Sequence, residues 1–214
     1  MAAGVDVLAG THPEATAMKT FSFVLFSSLA LIASSQVLAQ ANVRVRGTIS
    51  EVQGDILNIK SRDGRDIALH LTPDAQVVVP KRASAADFKP GSYIGVTSVK
   101  GPDGRAVAKR IHALGPQVPQ MHGAWDSIPN STMTNANLEG SARASGGEEI
   151  TLKYKGGEEK VLVTPETEYY TFAPGTRADL KPGESVFTGA RVEGDGRFVT
   201  SRVVVSKDGV KPPQ

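Results

Sequence analysis

The basic side chains of residues 42–115 are the first candidates for chemistry, because they outnumber the acidic ones there. Residues 42–115 contain 12 Lys and Arg against 7 Asp and Glu, whereas residues 138–214 contain 11 against 12. Excess positive charge favours an anionic ligand, surface or envelope partner. A solvated polar surface carries such charges too, and that alternative stays open. The residues we expect to bind an anion are Arg44, Arg46, Arg62, Arg65, Lys109 and Arg110.

Met121, His122 and Met133 suggest a different chemistry. Imidazole and thioether groups together suit copper ions, so a copper- or zinc-type site is an alternative hypothesis. The spacing of these three residues matches no known ligand motif. The sequence holds no cysteine, which excludes thiolate metal sites and disulfides.

Catalysis and nucleic-acid binding find little support in the sequence. Neither a G-x-S-x-G nor an H-E-x-x-H pattern is present, and only His70, His112 and His122 follow residue 41 as possible bases. Residues 42–115 also lack interleaved aromatic platforms for stacking bases. We therefore expect a non-enzymatic protein with no cofactor and no nucleic-acid partner.

Two near-identical hexapeptides, ADFKPG at 86–91 and ADLKPG at 178–183, reveal a tandem repeat. The same offset of 92 residues aligns Thr72 with Thr164 and the Asp-Gly-Arg triplet at 103–105 with that at 195–197. Self-similarity of this kind indicates a duplicated domain. We predict a first copy at 42–115, an ordered connector at 116–137 and a second copy at 138–210.

Each copy has the pattern of five short strands. Apolar and polar residues alternate, as in Val43, Val45 and Ile49, and Gly-containing turn signals separate the runs. The hexapeptide follows a Ser or Thr that predicts a capped helical turn, and its Lys-Pro-Gly suits a type II turn. We therefore predict an all-β fold of two tandem five-stranded OB-like barrels, each with a short helix between strands 3 and 4. A β-sandwich and an SH3-like barrel are the alternatives.

The connector contains Trp125, the only tryptophan of the chain. A purely flexible linker would not require an aromatic residue. We expect Trp125 to pack in the groove between the barrels and to take part in ligand binding.

The stretch from Val45 to Val77, followed by DFKPGSYIGV and DGRAVAKRIHAL, resembles a family of secreted bacterial tandem β-barrel domains of unknown function. The resemblance covers nearly all of the chain after residue 41 and implies an OB-like fold without implying an activity. Some members are labelled metal ABC transporter permeases. A permease needs several apolar spans, and no stretch after residue 41 has that length.

The N-terminal residues resemble a secretory signal peptide. Lys19 precedes an apolar run from Phe21 to Ala33, and the small-residue pattern around Ala39 follows. The residues before Met18 are acidic rather than basic, so we expect translation to start at Met18. The predicted function is that of a periplasmic or secreted binding or scaffold protein that does not span the membrane.

We predict that export removes the signal peptide after Ala39 or Ala41. Mass spectrometry of the N-terminal peptide should give Gln40 or Asn42 as the first residue. A mature protein that retains Ala2–Ala17 would contradict both the cleavage and the start at Met18.

Overall fold

The structure is a computed structural model that describes residues 42–213. The predicted signal peptide at 1–39 and the start at Met18 lie outside the described residues. The described chain is all-β, which confirms that part of the predicted fold. No helical segment between residues 42 and 213 has the length and apolarity to cross a membrane. The strands are β1 (Asn42–Gln53), β2 (Ile56–Ser61), β3 (Asp66–Ala83), β4 (Tyr93–Lys100), β5 (Ala106–Ala113), β6 (Met121–Trp125), β7 (Ser131–Ala144), β8 (Gly147–Tyr154), β9 (Gly157–Val163), β10 (Glu168–Pro174), β11 (Ser185–Val192) and β12 (Phe198–Val205).

Five of these strands form a closed barrel in the order β1, β2, β3, β12, β11 and back to β1. The ring closes where β12 runs parallel to β3 over six residue pairs. Alternate residues of each strand point inward, so Val45 and Ile49 of β1 join Val203 and Val205 of β12 in the core. Closure leaves these strands without a free edge.

The remaining strands surround a second core. β5, β4, β7, β8 and β9 are neighbours in that order, and two parallel residue pairs link β9 back to β5. Ile94, Ile111, Leu152 and Val161 lie in this core. β6 pairs with β7, and β10 lies between β3 and β5. β6 and the start of β7 occupy the predicted connector, which is therefore largely strand.

The closed barrel takes its strands from both of the predicted copies. β1, β2 and β3 belong to residues 42–83, while β11 and β12 belong to residues 185–205. β4 of the first predicted copy pairs with residues 131–137 of β7, which lie in the predicted connector, and β5 pairs with β9 and β10 of the second predicted copy. The barrel therefore crosses the expected boundary between residues 42–115 and 138–210.

The hexapeptides form the turns that carry the chain from one core to the other. Instead of a short helix, a single 3-10 turn begins one residue before each hexapeptide, at Ala85–Asp87 and Arg177–Asp179. The Ser84 backbone N–H donates to the Asp87 carboxylate at 2.8 Å, as a capping box requires. Gly91 then adopts a φ of 89°, the value that a type II turn needs at its third position.

Each hexapeptide is anchored to the other copy. The Gly91 N–H donates to the Leu138 carbonyl of β7 at 2.7 Å, and the Gly183 N–H donates to the Ile49 carbonyl of β1 at 2.8 Å. Phe88 packs against the second core, and Leu180 is buried in the barrel core. The same local motif thus connects residues 86–91 to β7 and residues 178–183 to β1.

Gly47 of β1 provides a test of the barrel packing. A Cβ atom at this position would lie 2.6 Å from Ile59 Cγ2 and would also meet the Lys60 carbonyl. We expect Gly47→Ala to lower the free energy of unfolding by about 1–3 kcal/mol. Gly140→Ala in β7 is the matched control, because nothing lies within 4 Å of its Cβ position. Equal urea midpoints for the two variants would contradict this packing.

Candidate functional site

A cleft of about 860 Å³ separates the barrel strands β1, β11 and β12 from β5, β6, β7 and β10. Concave, mainly apolar spaces of this size with a few polar groups are typical of small-molecule sites. No Asp or Glu of residues 42–213 lines this cleft. Its apolar lining includes Val43, Met121, Trp125, Met133, Phe172 and Phe187.

Strand register places one row of side chains on the cleft face. His112 of β5 lies opposite Gly95 of β4, which lies opposite Asn135 of β7 and then Met121 of β6. Residues directly opposite each other share a face of the sheet. A Cβ atom on Gly95 would lie 2.5 Å from His112 Nε2 and 3.1 Å from Asn135 Oδ1. The missing side chain of Gly95 therefore leaves the space that the imidazole occupies.

His112 is neutral in the folded protein. Its side chain is only 1% exposed, and Nδ1 is buried without a hydrogen-bond partner among the described residues. Burial, assisted by the positive charge of Arg110, lowers the pKa of His112 to about 4. The Phe172 ring meets the imidazole edge-on at 6.0 Å. His112 therefore places in the wall of the cleft a buried, uncharged side chain with one unsatisfied polar atom.

Arg202 of β12 contributes a cation from the barrel side. Its guanidinium is half-buried, and burial lowers the pKa of Arg202. Among the residues that the structure describes, no carboxylate lies within ion-pair distance of it. The nearby hydroxyls of Thr188 and Thr200 are satisfied by each other at 2.8 Å and by backbone carbonyls. Arg202 is thus the positive group of the cleft that lacks a counter-ion.

Trp125 lines the cleft, and the guanidinium groups of two arginines pack against its ring. Arg44 lies 4.3 Å and Arg46 5.1 Å from the centre of its ring, within the range of cation–π attraction. Asp126 accepts from Arg44 at 3.1 Å and from Arg46 at 2.6 Å. Trp125 Nε1 is buried without a partner in the described chain. The structure thus brings together three of the predicted ligand-binding residues.

The other predicted basic residues divide between two places. Arg62 lies beside Arg46, and Arg65 lines the same surface while binding Asp63 at 2.8 Å. Arg110 of β5 binds Glu168 at 3.3 Å, and its neighbour Lys109 lines neither the cleft nor the surface around Arg46. Lys109 and Arg110 therefore do not join Arg44 and Arg46 in one basic face.

The three predicted metal ligands lie on opposite faces of the β6–β7 pair, with Met121 and His122 on β6 and Met133 on β7. Met121 and Met133 line the cleft. His122 is exposed on the other face, where Nδ1 lies 3.0 Å from Thr134 Oγ1 and the ring stacks on Tyr154 at 5.1 Å. Within residues 42–213, no group of three His, Asp or Glu side chains is arranged to hold a metal. The strand alternation separates His122 from the two thioethers.

Sequence reasoning did not select His112 and Arg202 as site residues. One feature of the sequence could have indicated His112. It aligns with Val204 at the offset of 92 residues, and both residues line the cleft. A position that is polar in one predicted copy and apolar in the other is a candidate for a function that the two do not share. Which residues face the cleft depends on strand pairing between the copies, which the repeat alone does not reveal.

His112 makes stability depend on pH. In the unfolded chain its imidazole takes up a proton near its ordinary pKa of 6.5, whereas in the fold it does so only near about 4. Stability is therefore fully present above about pH 6.5 and is lost as the pH falls toward 4. We expect the unfolding free energy to drop by about 2 kcal/mol more in the wild type than in His112→Gln between about pH 7 and about pH 5.

Urea unfolding gives the unfolding free energy of the wild type and of His112→Gln as a function of pH. Only the difference in shape between the two profiles is used, because a destabilisation that is the same at every pH cancels. Carboxylates such as Asp179, whose pKa is lowered from 3.8, titrate below this window. Parallel profiles for the two proteins would contradict the buried, neutral state of His112.

Comparison with known proteins gives no family to which the chain can be assigned. The resemblance to secreted β-barrel domains accordingly stays a prediction, and the functional argument rests on the geometry of the cleft. No family model, no curated protein and no solved structure matches the chain.

Proposed function

We propose that this protein is an exported, non-enzymatic binding protein whose cleft takes an amphipathic molecule with an acidic group. The observation that carries the proposal is Arg202, a half-buried cation without an ion pair in a cleft that no carboxylate of the described residues lines. A cation removed from water without a partner is costly, and an acidic ligand would supply that partner.

The apolar lining would hold the body of such a ligand. Met121 and Met133 offer flexible thioether side chains that adapt to irregular shapes, and Trp125 offers a large flat surface. Burying apolar area contributes about 25 cal/mol per Å². In this arrangement, burial of the apolar part of the ligand provides most of the affinity. Arg202 provides the preference for a negatively charged ligand.

The polar atoms of the cleft would orient the ligand. Neutral His112 Nδ1 and the indole N–H of Trp125 are both buried without partners in the described structure. An unmade hydrogen bond at a buried group costs about 1–3 kcal/mol. A ligand that bonds to either atom recovers this cost, so we expect acceptor groups to face Trp125.

We further infer that the strands around the second core form a barrel equivalent to the closed one, so that two OB-like barrels flank the cleft. The ring of β5, β4, β7, β8 and β9 and its two-pair link support this inference. The predicted signal peptide would place the protein in the periplasm or outside the cell. Its ligand would then be an envelope component or a metabolite of that compartment.

Trp125 provides a built-in reporter of binding, since it is the only tryptophan and lies at the cleft. We expect dodecanoate or anilinonaphthalene sulfonate to change its emission with a saturable dependence on concentration. Arg202→Met keeps an apolar stem but removes the charge, and we expect it to weaken binding about tenfold, equivalent to about 1.4 kcal/mol.

Arg197→Met is the matched control, because Arg197 lies on the exposed β11–β12 hairpin and pairs with Asp195 at 2.6 Å. We expect it to bind like the wild type. Non-saturable emission changes with both probes, or equal weakening in the two variants, would count against the cleft as the binding site.

A further inference from the structure

The outer face of the barrel carries a second pocket of about 400 Å³, defined here as the basic pocket. Arg46 comes from β1, Lys60 from β2, Phe187 from β11, and Lys211 from the segment that follows β12. Arg62 follows β2 directly, and its backbone N–H donates to the Arg46 carbonyl at 3.1 Å. Because inward residues alternate with outward ones, β1 directs Val45 into the core and Arg46 to this outer face.

Arg46 is the most deeply buried cation of the basic pocket. Its side chain is 7% exposed, and its guanidinium lies 5.1 Å from the Trp125 ring centre and 4.8 Å from that of Phe187. Nη1 donates to Asp126 at 2.6 Å, whereas Nε and Nη2 are buried and have no partner in the described structure. The fold therefore fixes the guanidinium and leaves one edge of it unsatisfied.

Positive charge in the basic pocket exceeds what the neighbouring carboxylates neutralise. Four cations line it, and no Asp or Glu of the described residues does. Lys60 binds Asp66 at 3.1 Å, while Arg62 and Lys211 form no ion pair within residues 42–213. Burial lowers the pKa of Arg46, Asp126 opposes this, and the charges of Arg62 and Arg44 add to the lowering. An added anion would relieve both the repulsion and the unsatisfied donors.

We infer that the basic pocket binds a phosphate group, with the Nε and Nη2 edge of Arg46 as a bidentate donor and Arg62 and Lys211 as flanking cations. Arginine presents two parallel N–H groups whose spacing matches two oxygens of a phosphate. Lysine supplies a mobile point charge that follows the remaining oxygens. Phe187 lines both the basic pocket and the cleft, but none of the four cations of the basic pocket lines the cleft, so this inference does not depend on the proposed function of the cleft.

The phosphate could belong to a soluble ester or to a lipid headgroup, and the experiment distinguishes these sources. We would titrate the full protein with glycerol phosphate by calorimetry and with phosphatidylglycerol vesicles by flotation, using phosphatidylcholine vesicles as the neutral reference. Saturable binding of glycerol phosphate supports a soluble ester. Binding to phosphatidylglycerol vesicles alone supports a headgroup.

Substitutions assign the binding to the basic pocket. We expect Arg62→Gln to weaken it about tenfold, since a flanking charge is lost. Lys155→Gln removes the same charge from the exposed β8–β9 hairpin and should change the affinity less than twofold. Arg46→Lys keeps the charge but removes the two parallel N–H donors of the guanidinium. We expect it to weaken binding at least as much as Arg62→Gln. Urea unfolding of each variant verifies that the fold is retained.

Two results would overturn the inference. One is the absence of saturable binding to glycerol phosphate together with equal flotation with the two kinds of vesicle. The other is equal weakening by Arg62→Gln and Lys155→Gln, which would indicate a general effect of net charge. Arg202→Met should leave phosphate binding unchanged, so failure of the cleft proposal and failure of this one are separable.

Discussion

The pairing of β1 with β11 determines how the barrel closes and which residues meet in both candidate sites. Seven residue pairs, from Asn42 with Arg191 to Thr48 with Ser185, join the first strand of one copy to the fourth strand of the other. This pairing allows β12 to close the barrel against β3. It also sets Arg46 beside Phe187 and brings Arg202 to the same cleft as His112. Both candidate sites thus contain residues that are distant in sequence and that meet because strands are exchanged between the copies.

The two hexapeptide segments have the same local structure, a 3-10 turn followed by a Lys-Pro-Gly turn. The Lys-Pro-Gly turns at 89–91 and 181–183 have the same conformation, and each donates a hydrogen bond to a strand of the opposite copy. Local interactions of this kind determine that the chain turns but not which strand it then joins. Long-range contacts decide the partner, among them the burial of Leu180 in the core that β1, β2 and β3 also line.

Much of the fold could be predicted from the sequence, because alternation and turn residues act over a few positions. Strand alternation correctly directed Val45 and Ile49 inward, and the Ser84 motif forms its capping bond with Asp87. The partner of each strand could not be predicted, since a period of two assigns a face to a residue but not a neighbour to a strand. For the same reason the proximity of Met121 and His122 in the sequence was misleading, as adjacent strand residues point to opposite sides. Arg46 was selected for its charge, whereas its burial between Trp125 and Phe187 follows only from the tertiary structure.

A disulfide measurement tests the strand exchange most directly, because the chain has no cysteine of its own. Thr48 and Ser185 are opposite each other in the β1–β11 pair, so Thr48→Cys combined with Ser185→Cys should form an intramolecular crosslink on oxidation. Tyr93 is the counterpart of Ser185 in the first copy, at the offset of 92 residues. Mass spectrometry of peptides should therefore find the crosslink with Ser185→Cys and not with Tyr93→Cys. A crosslink between positions 48 and 93 within one chain, and none between 48 and 185, would contradict the exchange and the two sites built on it.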